Sequence, residues 1–168
     1  GEGTFRTGAV NFEATPLIKA ITNMERQVRE PIQVRRVIEP QLARLAAQHI
    51  TDEQLEELRN ILRRQEERLK NGQDIIDLDK EFHHTIAKAT DNNIFVGMLE
   101  ALNNTLADTR IKSNMTHGGG QRGYAAHKNI FAALESHDPD KAEAETYDHI
   151  MGVERSMLRY FAEHETGK

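Results

Sequence analysis

The sequence predicts an all-α fold, an antiparallel bundle of about six to seven helices. Three observations carry that prediction. Apolar residues recur at spacings of three and four through almost the whole chain. No stretch sustains the period-two alternation of a half-buried strand. Caps and breakers (Thr51, Asn71-Gly72, Asp91-Asn92-Asn93, Asp138-Pro139) punctuate the periodic segments at helix-length intervals.

Residues 1–12 hold glycines and alternating small and aromatic residues without a helical period, and are expected to form an extended arm; residues 13–168 form the helical domain. Leu17, Ile18, Ile21, Met24 and Val28 make one short stripe, compatible with a helix or a linker. Pro31 is expected to start a second element running through Val34, Ile38, Leu42 and Leu45 to His49, with Pro40 kinking it or removing one hydrogen bond. Thr51 and Gln54 form a capping box that opens a strongly amphipathic helix, with Leu55, Leu58, Ile61, Leu62 and Leu69 inward. Asn71-Gly72 ends it. The next helix starts at Asp74, and Ile75, Leu78, Phe82, Ile86 and Ala89 form its apolar stripe. A fourth runs from about Ile94 to Asn114. Thr116 to Gly120 reads as loop, Gly123 to Ser136 as a helix with Ile130, Phe131 and Leu134 inward, and Pro139 to about Glu163 as the last helix.

The 168 residues suffice for one core. No apolar run approaches the 18 or so residues of a membrane span, and no signal-peptide pattern is visible, so a cytoplasmic location and no membrane partner are expected. Net charge is −5, which argues against this chain itself being a duplex-DNA surface. There is no cysteine, so a metal would have to be held by His, Asp or Glu.

Eight histidines then need sorting. His49 and His137 stand at helix C-termini, where an imidazole complements the dipole. His117 lies in the glycine loop and His164 in the tail, and His84 points about 100° away from His83. His83, His127 and His149 each lie on the inward stripe of a different helix, and Asp79 stands one turn before His83. Each histidine taken alone is compatible with a hydrogen-bonded core residue. Three imidazoles and a carboxylate buried without a common partner would be costly, and a divalent metal accounts for all four.

The same residues resemble the effector-binding C-terminal domain of GntR-family transcriptional regulators of the FadR-like group, the FCD domain. Arg35-Arg36-Val37-Ile38-Glu39-Pro40 followed by Leu45-Ala46-Ala47 is similar to the family's "R-x-x-L-E-P … L-A-A". Asp79-x-x-Phe82-His83 is similar to "D-x-x-F-H", and Ala126-His127 and Asp148-His149-Ile150 to the two later histidine segments, 22 residues apart. Ala126 replaces a common Glu, and Asp91 and Asn93 a common Gly and Pro. Gly1-Glu2-Gly3-Thr4-Phe5 is similar to the "G-x-G-T-F" that closes the family's winged helix-turn-helix, which makes the arm the expected remnant of an absent DNA-binding domain.

The resemblance implies a bundle enclosing a metal and ligand cavity. It implies a metal on Asp79, His83, His127 and His149, with zinc first among zinc, nickel, iron, cobalt and manganese. It further implies a small organic acid as effector, a homodimer, and operator DNA bound through the absent domain. Arg35 is the expected effector-carboxylate contact, its alternative being a surface salt bridge with Glu39 four residues on; Asn92 is an effector contact or a helix cap. The expected role is that of a sensor, not an enzyme. Two other readings stay open: a metal-dependent hydrolase, for which Glu81 and His84 lie on the wrong face, and a closed structural zinc site.

Overall fold

A computed structural model describes residues 16–165, with side chains described for 26, 29–104 and 116–160. The arm at 1–12 and its similarity to a wing, and the side chains of the stripe from Leu17 to Val28, lie outside these. Six helices are present among the described residues: α1 Pro16–His49, α2 Asp52–Lys70, α3 Ile76–Lys88, α4 Asn93–Met115, α5 Gly119–Glu135 and α6 Pro139–Glu165. From α2 onward, consecutive helices pack side by side across short turns, and the most extensive packing in the molecule is between α1 and α6.

Local chemistry sets most of the boundaries. Thr51 Oγ1 accepts from the Gln54 amide at 3.2 Å, and Gln54 Oε1 accepts from the Thr51 amide at 3.1 Å, so the capping box is complete. Asn71 closes α2, and Gly72 turns at φ 70°, a conformation only glycine adopts without strain. Asp74 Oδ1 accepts from the Ile76 amide at 3.2 Å, one turn residue ahead of α3. Asn92 Oδ1 caps α4 by accepting from Ile94 at 3.0 Å. Asp138 Oδ1 accepts from Lys141 at 3.0 Å, with Pro139 as the first residue of α6.

Two boundaries differ from the sequence expectation. Pro31 does not begin a new element; α1 runs unbroken for 34 residues through both Pro31 and Pro40. Each proline removes one helical hydrogen bond, leaving the carbonyls of Gln27 and Arg36 without their partners four residues on. Burial of Ile32, Leu42, Ala43, Ala46 and Ala47 on the same helix offsets that loss. At the other site, Gly119 and Gly120 join α5, so only Thr116–Gly118 remain as turn. Their low helix propensity, about 1 kcal/mol each, is overridden by the turn geometry at Gly118, which sits at φ 68°.

The main core gathers the alanine face of α1, the leucine stripe of α2, Leu78, Phe82 and Ile86 of α3, and Ile130 and Leu134 of α5. Ile32 packs with Ile150 and Met157, joining α1 to α6. Leu42, Ala87 and Leu99 join α1, α3 and α4. Ion pairs strap neighbouring helices outside: Arg64 to Glu81 at 2.9 Å, Arg59 to Glu135 at 2.9 Å, Arg68 to Asp77 and Arg44 to Asp140. Exposed pairs of this kind contribute little each, so burial dominates.

Leu58 is fully buried in the main core. Leu58→Ala is expected to lower unfolding stability by about 2–5 kcal/mol, read from the urea midpoint. A loss under about 1 kcal/mol would place Leu58 outside the core.

Candidate metal centre

Asp79 and His83 sit one turn apart on α3, which is why their side chains converge. His127 comes from α5 and His149 from α6. All four are buried, and one donor atom from each lies within 4.8 Å of every other. Asp79 Oδ1 is 3.2 Å from His127 Nε2 and 3.8 Å from His83 Nε2. The three imidazole centroids are 5.0–5.2 Å apart, with the His83 and His149 rings stacked and nearly parallel at 15°. Phe82 stacks on His127 at 4.3 Å and closes that side with a dry wall.

The donor chemistry fits a first-row divalent ion. His83 Nε2 and His149 Nε2 are buried and have no hydrogen-bond partner among the described residues. A buried lone pair left this way costs free energy unless something outside the chain uses it. Bonds of about 2.0–2.2 Å to an ion would set opposite donors about 4.4 Å apart at most, so a small inward shift completes the shell.

Outer contacts orient two of the rings. His83 Nδ1 is 2.9 Å from Glu39 Oε2. His127 Nδ1 is 3.0 Å from Gln65 Oε1. A carboxylate and an amide carbonyl only accept, so both Nδ1 atoms carry the proton and both Nε2 lone pairs face the cage. Burial first, then the neighbouring His127 and His83, hold the His149 imidazole well below the ordinary histidine range, against the opposing pull of Asp79. It is neutral at pH 7, as a metal ligand must be.

Arg35 lies behind this cage. It is 1% exposed, and its Nε and Nη2 donate to Glu39 at 2.6 and 3.3 Å. Burial alone would lower its pKa; attraction to Glu39, the hydrogen bond with it and the charge of Asp79 raise it instead. The pairing with Glu39 matches one sequence expectation, but it is a core pair and not a surface one. Asn92 is exposed and occupied in capping α4. Neither residue lines the cavity described next.

That cavity, about 340 Å³, opens against Asp79 and His149, between the first turns of α5 and the face of α6. Arg122, Arg155 and Ser156 line it. Of the remaining histidines, His84 Nδ1 faces Glu100 at 3.8 Å, and His137 Nδ1 donates to the Ala47 carbonyl at 3.0 Å, tying the end of α5 to α1. His49 and His117 are exposed, and the His164 side chain lies outside the described residues.

Sequence reasoning missed Glu39 and Gln65 as orienting groups and Arg122 and Arg155 as cavity walls. A signal existed for Gln65: it continues the Leu58, Ile61, Leu62 stripe of α2, where a polar residue is out of place. None marked the two arginines.

Comparison with known proteins follows the same lines. A family model for the FCD domain matches residues 30–152. "HTH-type transcriptional repressor NanR" of Escherichia coli (strain K12) is 32% identical over 123 residues, which is 72% of this chain and 47% of that protein. The chain thus spans about half the length of that relative. "HTH-type transcriptional regulator LutR" of Bacillus subtilis (strain 168) is 26% identical over 169 residues, 97% of this chain and 77% of that protein. Among solved structures, Streptococcus agalactiae GntR superposes with a TM-score of 0.70 at 27% identity, over 84% of this chain and 65% of that one.

Two measurements test the centre. In elemental analysis, His127→Ala is expected to reduce bound divalent metal from about one ion per chain to near none, while His84→Ala leaves it unchanged. Equal metal content in the two variants would defeat the assignment. The second concerns pH. The folded metal-free chain holds His149 neutral, whereas the unfolded chain protonates it near 6.5. The unfolded state therefore binds more protons as pH falls, and stability is lost below about pH 6.5 and kept above it. The melting temperature of metal-free protein is expected to drop between about pH 7.5 and 5.5, and less so in His149→Gln. An equal drop in both would place the titration elsewhere.

Proposed function

The chain belongs to the FCD domain family, and from that premise we propose that it is the ligand-sensing domain of a GntR-type transcriptional regulator. It binds a divalent transition metal, zinc first, on Asp79, His83, His127 and His149. A small organic acid then binds against the metal and biases how a separate DNA-binding domain engages its operator.

The observation that carries this reading is the pair of orphaned buried Nε2 atoms, on His83 and His149, in a cage that opens onto a cavity. A divalent ion held there supplies positive charge and open coordination positions in a low-dielectric site. The protein's part is to hold both outer-bonded rings in the metal-binding tautomer and to keep water out with Phe82. The open side supports an effector-binding metal over a closed structural zinc site. Glu81 and His84 are not placed as a base for hydrolysis: Glu81 is engaged by Arg64 at 2.9 Å and His84 faces Glu100.

An effector contact by Arg35 would require it to leave Glu39, and one by Asn92 would require opening the α4 cap. The net charge of −5 supports assigning DNA contact to a separate domain rather than to this surface. Homodimerisation is supported by apolar residues exposed on α1 and α4, namely Val34, Val37, Ile94 and Met98. They flank Ile38 and Phe95 where these two helices pack. No helix among the described residues is long and apolar enough to cross a membrane, and the proposed setting is the cytoplasm.

Calorimetric titration of zinc-loaded protein with acetate, lactate and butyrate is expected to show saturable binding. Chelation should abolish it, as should His127→Ala. Zinc binding without affinity for any of the three would favour a structural metal. Chelator-sensitive turnover of ester substrates would replace the sensor with an enzyme.

A further inference from the structure

We propose that the ligand of this cavity carries two acid groups, one directed at the cage and the other held by Arg122 and Arg155. The inference rests on the sensing role proposed above and names the chemistry that is sensed.

The argument starts from one face of α6. Glu145, Asp148, His149, Gly152, Arg155 and Ser156 all line the cavity, recurring every three to four residues. Charge is segregated along that face. Glu145 and Asp148 precede the metal ligand His149, and Arg155 follows it. Arg122 of α5 joins the basic end, with its Nη2 3.4 Å from Ser156 Oγ. An anion bound at the cage is repelled by the acidic end and drawn toward the basic one, so its free end has one favourable direction.

Both arginines are available there. Arg122 donates to the His117 carbonyl at 2.7 Å and to Thr116 Oγ1 at 3.0 Å. These neutral acceptors orient the guanidinium without cancelling its charge. Neither Arg122 nor Arg155 is paired with a carboxylate among the described residues. Arg155 Nη2 stands 3.9 Å from where a Cβ on Gly152 would be, so the guanidinium lies back along α6 toward His149. From His149 to Ser156 the helix rises roughly 10 Å, and this backward lean shortens the span a ligand must cover. A volume of about 340 Å³ suits a small diacid and not a long acyl chain. Two guanidinium forks match a second carboxylate better than they match a hydroxyl or a methyl end.

The test is calorimetry on the zinc-loaded chain, comparing succinate, glutarate and adipate with butyrate, valerate and hexanoate. At least one diacid is expected to bind about ten-fold or more tightly than its monoacid partner. In Arg122→Gln/Arg155→Gln that advantage should shrink to about two-fold or less, with monoacid affinity falling less than diacid affinity. Arg155→Gln alone, which removes no hydrogen bond among the described residues, should lose part of the advantage at an unaltered melting temperature. This guards against a loop disturbed by loss of Arg122. Equal binding of diacids and monoacids, or an advantage that survives the double substitution, overturns the inference and leaves the sensor standing. Zinc binding with affinity for none of the six acids overturns both.

Discussion

One buried chain of charge organises the centre: Arg35 to Glu39 to His83. All three side chains are at most 3% exposed. Taking such groups out of water is expensive, and their mutual attraction offsets the cost only when every partner is met. Here Glu39 accepts from Arg35 at 2.6 Å on one oxygen and from His83 at 2.9 Å on the other. The net stability from this arrangement is small by that reasoning. What it provides is direction: with Glu39 fixed by Arg35, the His83 ring has one orientation, and its Nε2 faces the cage. The unbroken course of α1 through Pro40 is part of the same constraint, because Arg35 and Glu39 meet only at helical spacing.

The second ring is oriented differently. His127 leans on the neutral amide of Gln65, and Phe82 stacks on its face. His149 has neither arrangement; it lines the cavity, and its neutrality comes from burial and from the other two imidazoles. The cage is thus rigid on the α3 and α5 side and borders open space on the α6 side. A ligand arriving from the cavity meets the least constrained of the three rings, and meets it on the helix that carries the segregated charges.

How much of this was legible in the sequence follows from which physics each feature uses. Asp79 and His83 converge through helical period alone, and His127 and His149 lie on apolar stripes that the same period reveals, so spacing by itself names all four buried groups. The absence of cysteine narrowed the donor types further. Arg35 and Glu39 could be paired by spacing, but not placed inside, because burial of an ion pair depends on packing from other helices. The break expected at Pro31 failed for a related reason: a cost of about 3 kcal/mol in an isolated helix is tolerated when tertiary burial holds both sides. Arg122 and Arg155 were invisible because they share a cavity only across the α5–α6 packing, 33 positions apart in sequence and with no motif around either.

The same geometry bears on how binding could be felt far away. Helix α1 carries Arg35 and Glu39 in its middle and continues back to Pro16, about 28 Å of helix beyond Arg35. Its later half lies in the main core, and Ile32, ahead of Arg35, packs with Ile150 and Met157 of α6. A change in His83 reaches α1 through two short hydrogen bonds and no flexible loop. Over 28 Å, a tilt of about 5° displaces the far end by roughly 2.4 Å. Pro31 lies just before Arg35 and is the softest joint on that path, since it lacks one helical hydrogen bond. A ligand changes the position of this helix only by the difference in its affinity for the two positions. The basic end of α6 bears on that difference directly, because α6 is also the helix that packs most extensively against α1.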